Sequence, residues 1–486
     1  MINYINTVKK IFTFFLAFVL LYGCKDIKET NHSFIGGEII NPKDTKLTIF
    51  KSNTILDTIR LDSENRFLSK IESTKSGFYG FSHGNEYQLI LLEPNDSITI
   101  RVNTLDFDES LSFSGIGSKK NNYLISLFTK YENSKRNSSN LFKAKPKEFK
   151  KAIDSLKIDE INLLNKFISG TNLTSQLFEE IATNTINHIF NAKIEAYRFI
   201  EVNRNETIYP ENFYDFRKNI NYNNIYFEEF YHYYNFLFPH FDNLAYEKFI
   251  KTHNKKSFNK DNVDYNLIKL ELIDSLVQNR EIKSRLTSFI ARKFLSFCKK
   301  QVEANKIYNY YLKINKTTNN DSKNYQQKRV INLYNNLKKL KKGNKLPIIE
   351  LIDSKKNSVN INKLITDKTL IYFWSKNSKN SYKYSHDKVK KLRAIYPNIS
   401  FISVNIDKIR TEKWLDKLTI NSSYCDCNGC KSKNTYVNEF KLRNPDIAKK
   451  LLGIQYIRKT IIVDSKMNII ESNANLFSDN LEKIIN

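Results

Sequence analysis

From Ser33 to Gly117, short apolar runs alternate with polar clusters. The runs SFIGGEII, KLTIF, ILDTIRL, GFYGF, EYQLILL and SITIRV are rich in Ile, Phe, Tyr and Leu. The breaks between them hold turn-forming groups such as Asn41-Pro42-Lys43-Asp44, Asp62-Ser63-Glu64-Asn65 and Pro94-Asn95-Asp96. Strands of this length and spacing predict a small antiparallel β-sandwich or barrel over residues 33–118.

The period changes near Lys119. Phe178, Ala182, Ile186, Phe190, Ile194 and Tyr197 recur at spacings of four and three, which draws one apolar stripe along a helix. Phe227, Phe230, Tyr231, Tyr234 and Phe238 draw a second. Such stripes are core material of a helical domain over 119–342, and His232 and His240 fall among them as core histidines with no partner at metal-ligand spacing. Lys313–Asn324 is polar and reads as a loop, and the helix after it is expected to end at Gly343, a natural cap.

Beyond Gly343 strands and helices alternate. The strand TLIYFW leads into a helix expected from about Ser378 to Tyr396. The strand ISFISVNID, a helix around Trp414 and a helix started by Asn444-Pro445 follow, then the strand KTIIVD, a hairpin and a last helix. Residues 343–486 thus read as an α/β domain, and the whole as a multidomain α+β chain.

The N-terminus adds an address. Lys9 and Lys10 precede an apolar stretch from Ile11 to Leu21, too short to span a bilayer comfortably and typical of a secretory signal, here residues 1–23. Its ending, Leu21-Tyr22-Gly23-Cys24, resembles the lipobox of bacterial lipoproteins, apart from the bulky Tyr22. That resemblance implies a lipid on Cys24, residues 24–32 as a tether, and a location in the cell envelope, periplasmic or on the outer-membrane face. The net charge of +27 comes from lysines spread along the chain. Without a clustered reading face or a recognisable module it argues against a nucleic-acid partner, and reads as solvated surface or as attraction to anionic envelope polymers and headgroups.

GNKLPIIELID, LIYFWSKNSKNS, ISVNID and LLGIQYIRKTIIVD, with the closing hairpin and helix, resemble the TlpA/ResA-like (redoxin-like) thioredoxin-fold proteins. GGEIINP, LLEPNDSITI and FDESLSFSGIGSKKNNYL resemble a β-rich domain that precedes such domains in many bacterial lipoproteins. The first resemblance implies a thioredoxin-like fold over 343–486. Carried over by position, its nucleophilic cysteine falls on Ser378, its resolving cysteine on Ser381 and its cis-proline on Arg458. A serine hydroxyl cannot form the mixed disulfide on which thiol exchange depends, although Ser378 can cap a helix. Without proline, a cis peptide before Arg458 would cost about 3 kcal/mol. Ser381, His386 and Asp387 do not make a hydrolytic set, because an offset of five residues does not place two side chains on one helix face.

Sulfur occurs elsewhere. Cys425-x-Cys427-x-x-Cys430 spans an Asn-Gly turn and admits three readings: a local disulfide with one spare thiol, a soft-metal site lacking an evident fourth ligand, or a displaced redox pair. Cys298 reads as a buried helical residue. The residues call for no cofactor and no metal. The expected role is a degenerate thioredoxin-like module that binds an envelope protein or peptide without catalysis. The alternative is thiol or soft-metal chemistry at Cys425, Cys427 and Cys430.

Overall fold

The computed structural model describes the chain except for residues 1–30, 53, 85, 135–139, 172, 174, 202–208, 254–257, 299, 316–324, 379–380, 416–438, 479 and 486. Cys24, Cys425, Cys427 and Cys430 lie outside the described residues, as does most of the loop expected over 313–324. The chain divides into two compact units, Met1–Asn243 and Leu244–Asn486.

The first unit opens with eight strands: β1 (Ser33–Ile40), β2 (Lys46–Lys51), β3 (Thr54–Arg60), β4 (Arg66–Ile71), β5 (Gly77–His83), β6 (Glu86–Leu92), β7 (Ser97–Asn103) and β8 (Ser112–Ile116). They form two four-stranded sheets, ordered β4-β1-β7-β8 and β3-β2-β5-β6. Alternate residues of both sheets, among them Ile35, Ile39, Leu47, Ile49, Phe81, Ile90, Ile98 and Ile100, meet in one core, as the side-chain period of two requires. One pairing corrects the expectation of an antiparallel domain: β1 and β7 run parallel. Alternation specifies which face a residue takes but not which way a neighbouring strand runs. Gly37 is indispensable to that pairing, since a Cβ there would lie 2.0 Å from the Ile100 carbonyl oxygen of β7.

Helices α1 (Ser118–Ser134), α2 (Pro146–Thr171) and α3 (Gln176–Glu201) follow, and α4 (Tyr231–Thr252) carries the chain across the boundary between units. The predicted stripe of α3 is buried along Phe178, Ala182, Ile186, Phe190, Ile194 and Tyr197. Beside it stands a wholly buried carboxylate, Glu195. Arg217 meets it with two bonds of 2.8 and 2.6 Å, His240 Nδ1 approaches at 2.7 Å, and Asn243 Nδ2 donates both to the carboxylate and to the Glu195 carbonyl. The far nitrogen of His240 meets the Tyr222 hydroxyl at 2.7 Å. Burial pushes the Glu195 carboxyl up, but the hydrogen bonds and charges of His240 and Arg217 outweigh it and hold the group well below the ordinary carboxylate range.

The second unit begins with α5 (Val263–Leu276), α6 (Arg280–Phe297), α7 (Gln301–Ile314) and α8 (Tyr325–Lys339). Helix α8 stops four residues before Gly343, which instead adopts a positive φ of 87° in the turn beyond. The α/β part comprises β9 (Glu350–Asp353), β10 (Ser358–Asn360), β11 (Thr369–Trp374), α9 (Ser381–Ile395), β12 (Ser400–Asn405), β13 (Glu439–Leu442), α10 (Pro445–Leu451), β14 (Lys459–Val463), β15 (Ile469–Asn475) and α11 (Leu481–Ile485).

Its seven strands are ordered β10-β9-β13-β12-β11-β14-β15. β11, β12 and β13 are parallel neighbours, while β14, β15 and β9 run antiparallel to theirs. Every residue of β11 is buried, because the sheet is covered on both faces. Leu370 and Tyr372 face Val389 and Leu392 of α9 and Leu481 of α11. Ile371 and Phe373 face Ala448 of α10 and Leu340. A parallel core with a covering helix between β11 and β12, closed by an antiparallel hairpin and a terminal helix, is the arrangement the thioredoxin-like resemblance implies.

Candidate functional site

At the C-terminal end of β11 the chain leaves the sheet at Trp374, whose indole is fully buried against Trp414 and Tyr382. The next turn is gripped from the neighbouring strand. Asp407, just beyond β12, accepts from the Ser375 hydroxyl through Oδ1 and from the Lys376 amide through Oδ2. Two successive turns then carry the chain into α9: the Ser378 amide donates to the Ser375 carbonyl at 3.3 Å, and the Ser381 amide to the Ser378 carbonyl at 3.0 Å. Helix α9 therefore starts at Ser381, three residues later than expected. Ser378 holds its first turn with a backbone carbonyl.

Behind this turn lies a polar row that sequence reading passed over. Tyr372, Ser403 and Glu439 are cross-strand partners on β11, β12 and β13, and His386 of α9 closes over them. Its Nε2 contacts Glu439 Oε1, and its Nδ1 faces the Tyr382 carbonyl at 2.8 Å. The Ser403 hydroxyl also meets Nε2, at 3.3 Å. Glu439 Oε2 is buried with no hydrogen-bond partner. Burial, then the nearby Glu439 charge, push the Tyr372 phenol far above its ordinary range. Sequence alone offered His386 only as a neighbour of Ser381; Glu439, fifty-three positions away, is its partner.

In front of the turn is a cleft of about 1090 Å³. Ser378, Ser381 and Arg458, the three positions singled out by resemblance, all line it. Helix α9 adds Tyr384, Ser385, Asp387, Lys388 and Lys391 to one wall. The loop and first residue of β14 supply Gln455, Tyr456 and Lys459; β15 supplies Asn473 to Asn475; and the end of α6 supplies Ser296 and Phe297. Asn473 Nδ2 ties β15 to the Ser296 carbonyl at 2.7 Å, and Phe297 stacks on Tyr456 with ring centroids 4.7 Å apart. The peptide before Arg458 is trans, as is every described peptide bond.

The cations of this cleft are unevenly paired. Lys388 reaches Glu482 at 3.8 Å. Arg458 and Lys391 are exposed and, among the described residues, have no carboxylate within ion-pair distance. Lys459 is only 7 % exposed. Its ammonium donates to the Gly453 carbonyl at 3.3 Å. Burial lowers its pKa to about 8, against a smaller raising effect from Glu471. Gly453 makes room for that ammonium, since a Cβ there would meet Nζ at 3.2 Å in a backbone of positive φ.

No family model matches the chain, and no curated protein matches it. Solved structures do. The chain is similar to the thioredoxin domain of a thiol-disulfide oxidoreductase from Bacteroides vulgatus, at 25% identity over 30% of this chain and 99% of that one, with a TM-score of 0.24. It is also similar to a thiol:disulfide interchange protein from Bacteroides sp., at 22% identity over 27% of this chain and 80% of that one, TM-score 0.22. These likenesses concern the path of the backbone over under a third of the chain. The roles of residues rest on the geometry above.

Cys298 is not inside a helix as expected. It follows the last residue of α6, half-buried, with Sγ donating to the Lys300 carbonyl at 3.2 Å, and burial pushes its thiol pKa up. That environment disfavours the thiolate needed for exchange. Among the described residues no His, Cys, Asp and Glu side chains group as metal ligands, and no helix is long and apolar enough to cross a membrane.

Proposed function

We propose that this chain is a cell-envelope lipoprotein whose thioredoxin-like domain binds a protein or peptide segment in the Ser378–Ser381–Arg458 cleft and performs no thiol–disulfide exchange there. The observation that carries the reading is the convergence of the neighbouring Ser378 and Ser381 with Arg458, far along the chain, on one open cleft. Hydroxyls and a guanidinium stand where exchange needs two thiols, so the site keeps a recessed surface and loses its nucleophile. The exposed rings of Phe297, Tyr456 and Tyr384 around it offer apolar contact for a bound chain. Anchoring through lipid at Cys24 rests on the lipobox-like ending of the apolar leader.

The test uses the full chain against an arrayed library of short peptides, with Ser381→Trp to fill the cleft. Peptide binding that this substitution removes supports the reading; absence of peptide binding, or binding indifferent to it, overturns it. Insulin reduction is assayed alongside. Turnover abolished by Cys427→Ser would transfer the function to the second cysteine cluster. Metabolic labelling with a lipid analogue, lost in Cys24→Ser, checks the anchor.

A further inference from the structure

We infer that the segment bound in this cleft is an acidic peptide, whose carboxylates complete the unpaired cations Arg458, Lys459 and Lys391. The inference rests on the peptide-binding reading and adds the chemistry of the ligand.

Unpaired lysines are ordinary on a chain with 78 basic and 51 acidic residues, and exposed ones signify nothing. Lys459 is different because it is buried. A desolvated ammonium is costly unless acceptors surround it, and its one hydrogen bond, to Gly453, is long. The depressed pKa is the physical consequence of that deficit. Other buried ammonium groups are held more closely: Lys441 donates to the Ile409 carbonyl at 2.6 Å, and Lys120, comparably buried, contacts both Glu93 and Asp96, at 2.6 and 2.7 Å. Lys459 lacks that second half, and the cleft it lines is where the missing anion can enter. Arg458 stands next to it in sequence, its fork of donors without a carboxylate among the described residues, and Lys391 lines the same cleft from α9. The fixed charges opposing them are Asp387 on the lining, Glu482 beside Lys388, and Glu471 near Lys459.

The occupant is a peptide rather than a small anion because of the wall opposite the cations. β15 is the last strand of the sheet, and its Asn473–Asn475 segment lines the cleft. A terminal strand presents main-chain groups to an extended chain, and the cleft is far larger than one phosphate would fill.

The decisive measurement is fluorescence anisotropy with the full chain and a labelled Asp/Glu-rich peptide, its Asn/Gln counterpart and inorganic phosphate as competitor. The acidic peptide should bind at least about tenfold more tightly than the amide peptide, and Arg458→Glu should weaken it at least about tenfold, the size of one lost charge-assisted contact. Lys355→Glu, on an exposed turn outside the cleft, should leave it unchanged. Amide peptide binding equally well, and still removed by Ser381→Trp, overturns the acidic preference while leaving the peptide-binding reading intact. Loss of all peptide binding overturns both. Equal weakening by Lys355→Glu reduces the effect to net charge, and displacement by phosphate at matching concentration makes the site one for small anions; either overturns the inference. Arg458 is exposed, so its variant is expected to fold, and thermal melts of each variant verify this.

Discussion

Glu195 in the first unit and Lys459 in the second are buried charges treated in opposite ways. Around Glu195 every neighbour answers the charge: a two-point arginine, an imidazole and an amide converge on the carboxylate, and a tyrosine secures the imidazole from behind. Around Lys459 there is one carbonyl at 3.3 Å and an open cleft. A closed network has nothing left to offer a ligand and serves to lock three segments of chain together. An open one destabilises the free protein and holds binding energy in reserve. The difference separates a charge closed by its neighbours from one left open more sharply than residue type does.

The comparison can be broken most forcefully at its closed end. Glu195→Ala removes the buried carboxylate on which Arg217, His240 and Asn243 converge, and should cost about 3–5 kcal/mol, read as a large fall in the melting temperature. Because the folded pKa of Glu195 lies below its unfolded value, its contribution is fully present above the ordinary carboxylate pKa. It should disappear as pH falls through the folded value, which acid titration of stability would follow. Melting unchanged by the substitution would mean the network does not hold the unit.

Lys459→Met should act in the opposite direction, stabilising the free protein by about 1–3 kcal/mol while weakening acidic-peptide binding. The wild type carries a matching pH signature. With a folded pKa of about 8 against 10.5 for a free lysine, the unfolded chain binds more protons between those values. Stability therefore rises as pH climbs from about 8 to 10.5, and Lys459→Met should flatten that rise. A destabilised Met variant would show that the ammonium is already satisfied in the free protein.

Glu439 is the intermediate case, bonded to His386 through one oxygen and unpartnered at the other. Glu439→Gln removes a charge whose solvation is incomplete, and the change in stability should be within about 1 kcal/mol, well below that of Glu195→Ala. An equal loss at the two sites would remove the distinction between them. The smallest effect is expected from Arg458→Glu, exposed and unpaired, which should alter stability by less than about 0.5 kcal/mol while binding changes by an order of magnitude.

Much of the fold was legible because the relevant signals are local. Alternation in β1 to β8, the stripe on α3, the Asn444-Pro445 start of α10 and the buried run of β11 each follow from the period and propensity of a few neighbouring residues. The two-sided burial of β11 could be read from TLIYFW itself. The start of α9, the true end of α8 and the parallel pairing of β1 with β7 could not, since turns and strand directions are decided by what packs beside them. Ser378, Ser381 and Arg458 were singled out by resemblance, and all three line the cleft. Their fourth companion, Lys459, looked like any other of the abundant lysines.

By itself, then, the sequence determined the kinds of element, their order, and the hydroxyl side chains of Ser378 and Ser381 beyond the end of β11. Tertiary structure alone decided which charges would be closed and which left open, which histidine would meet which carboxylate, and that Arg458 and Lys459 would line one cleft with Ser378 and Ser381. The physical reason is the range of the interactions. Helix and strand periodicity act over one or two turns of chain, whereas desolvation and charge pairing depend on groups that only the folded chain brings within a few ångströms.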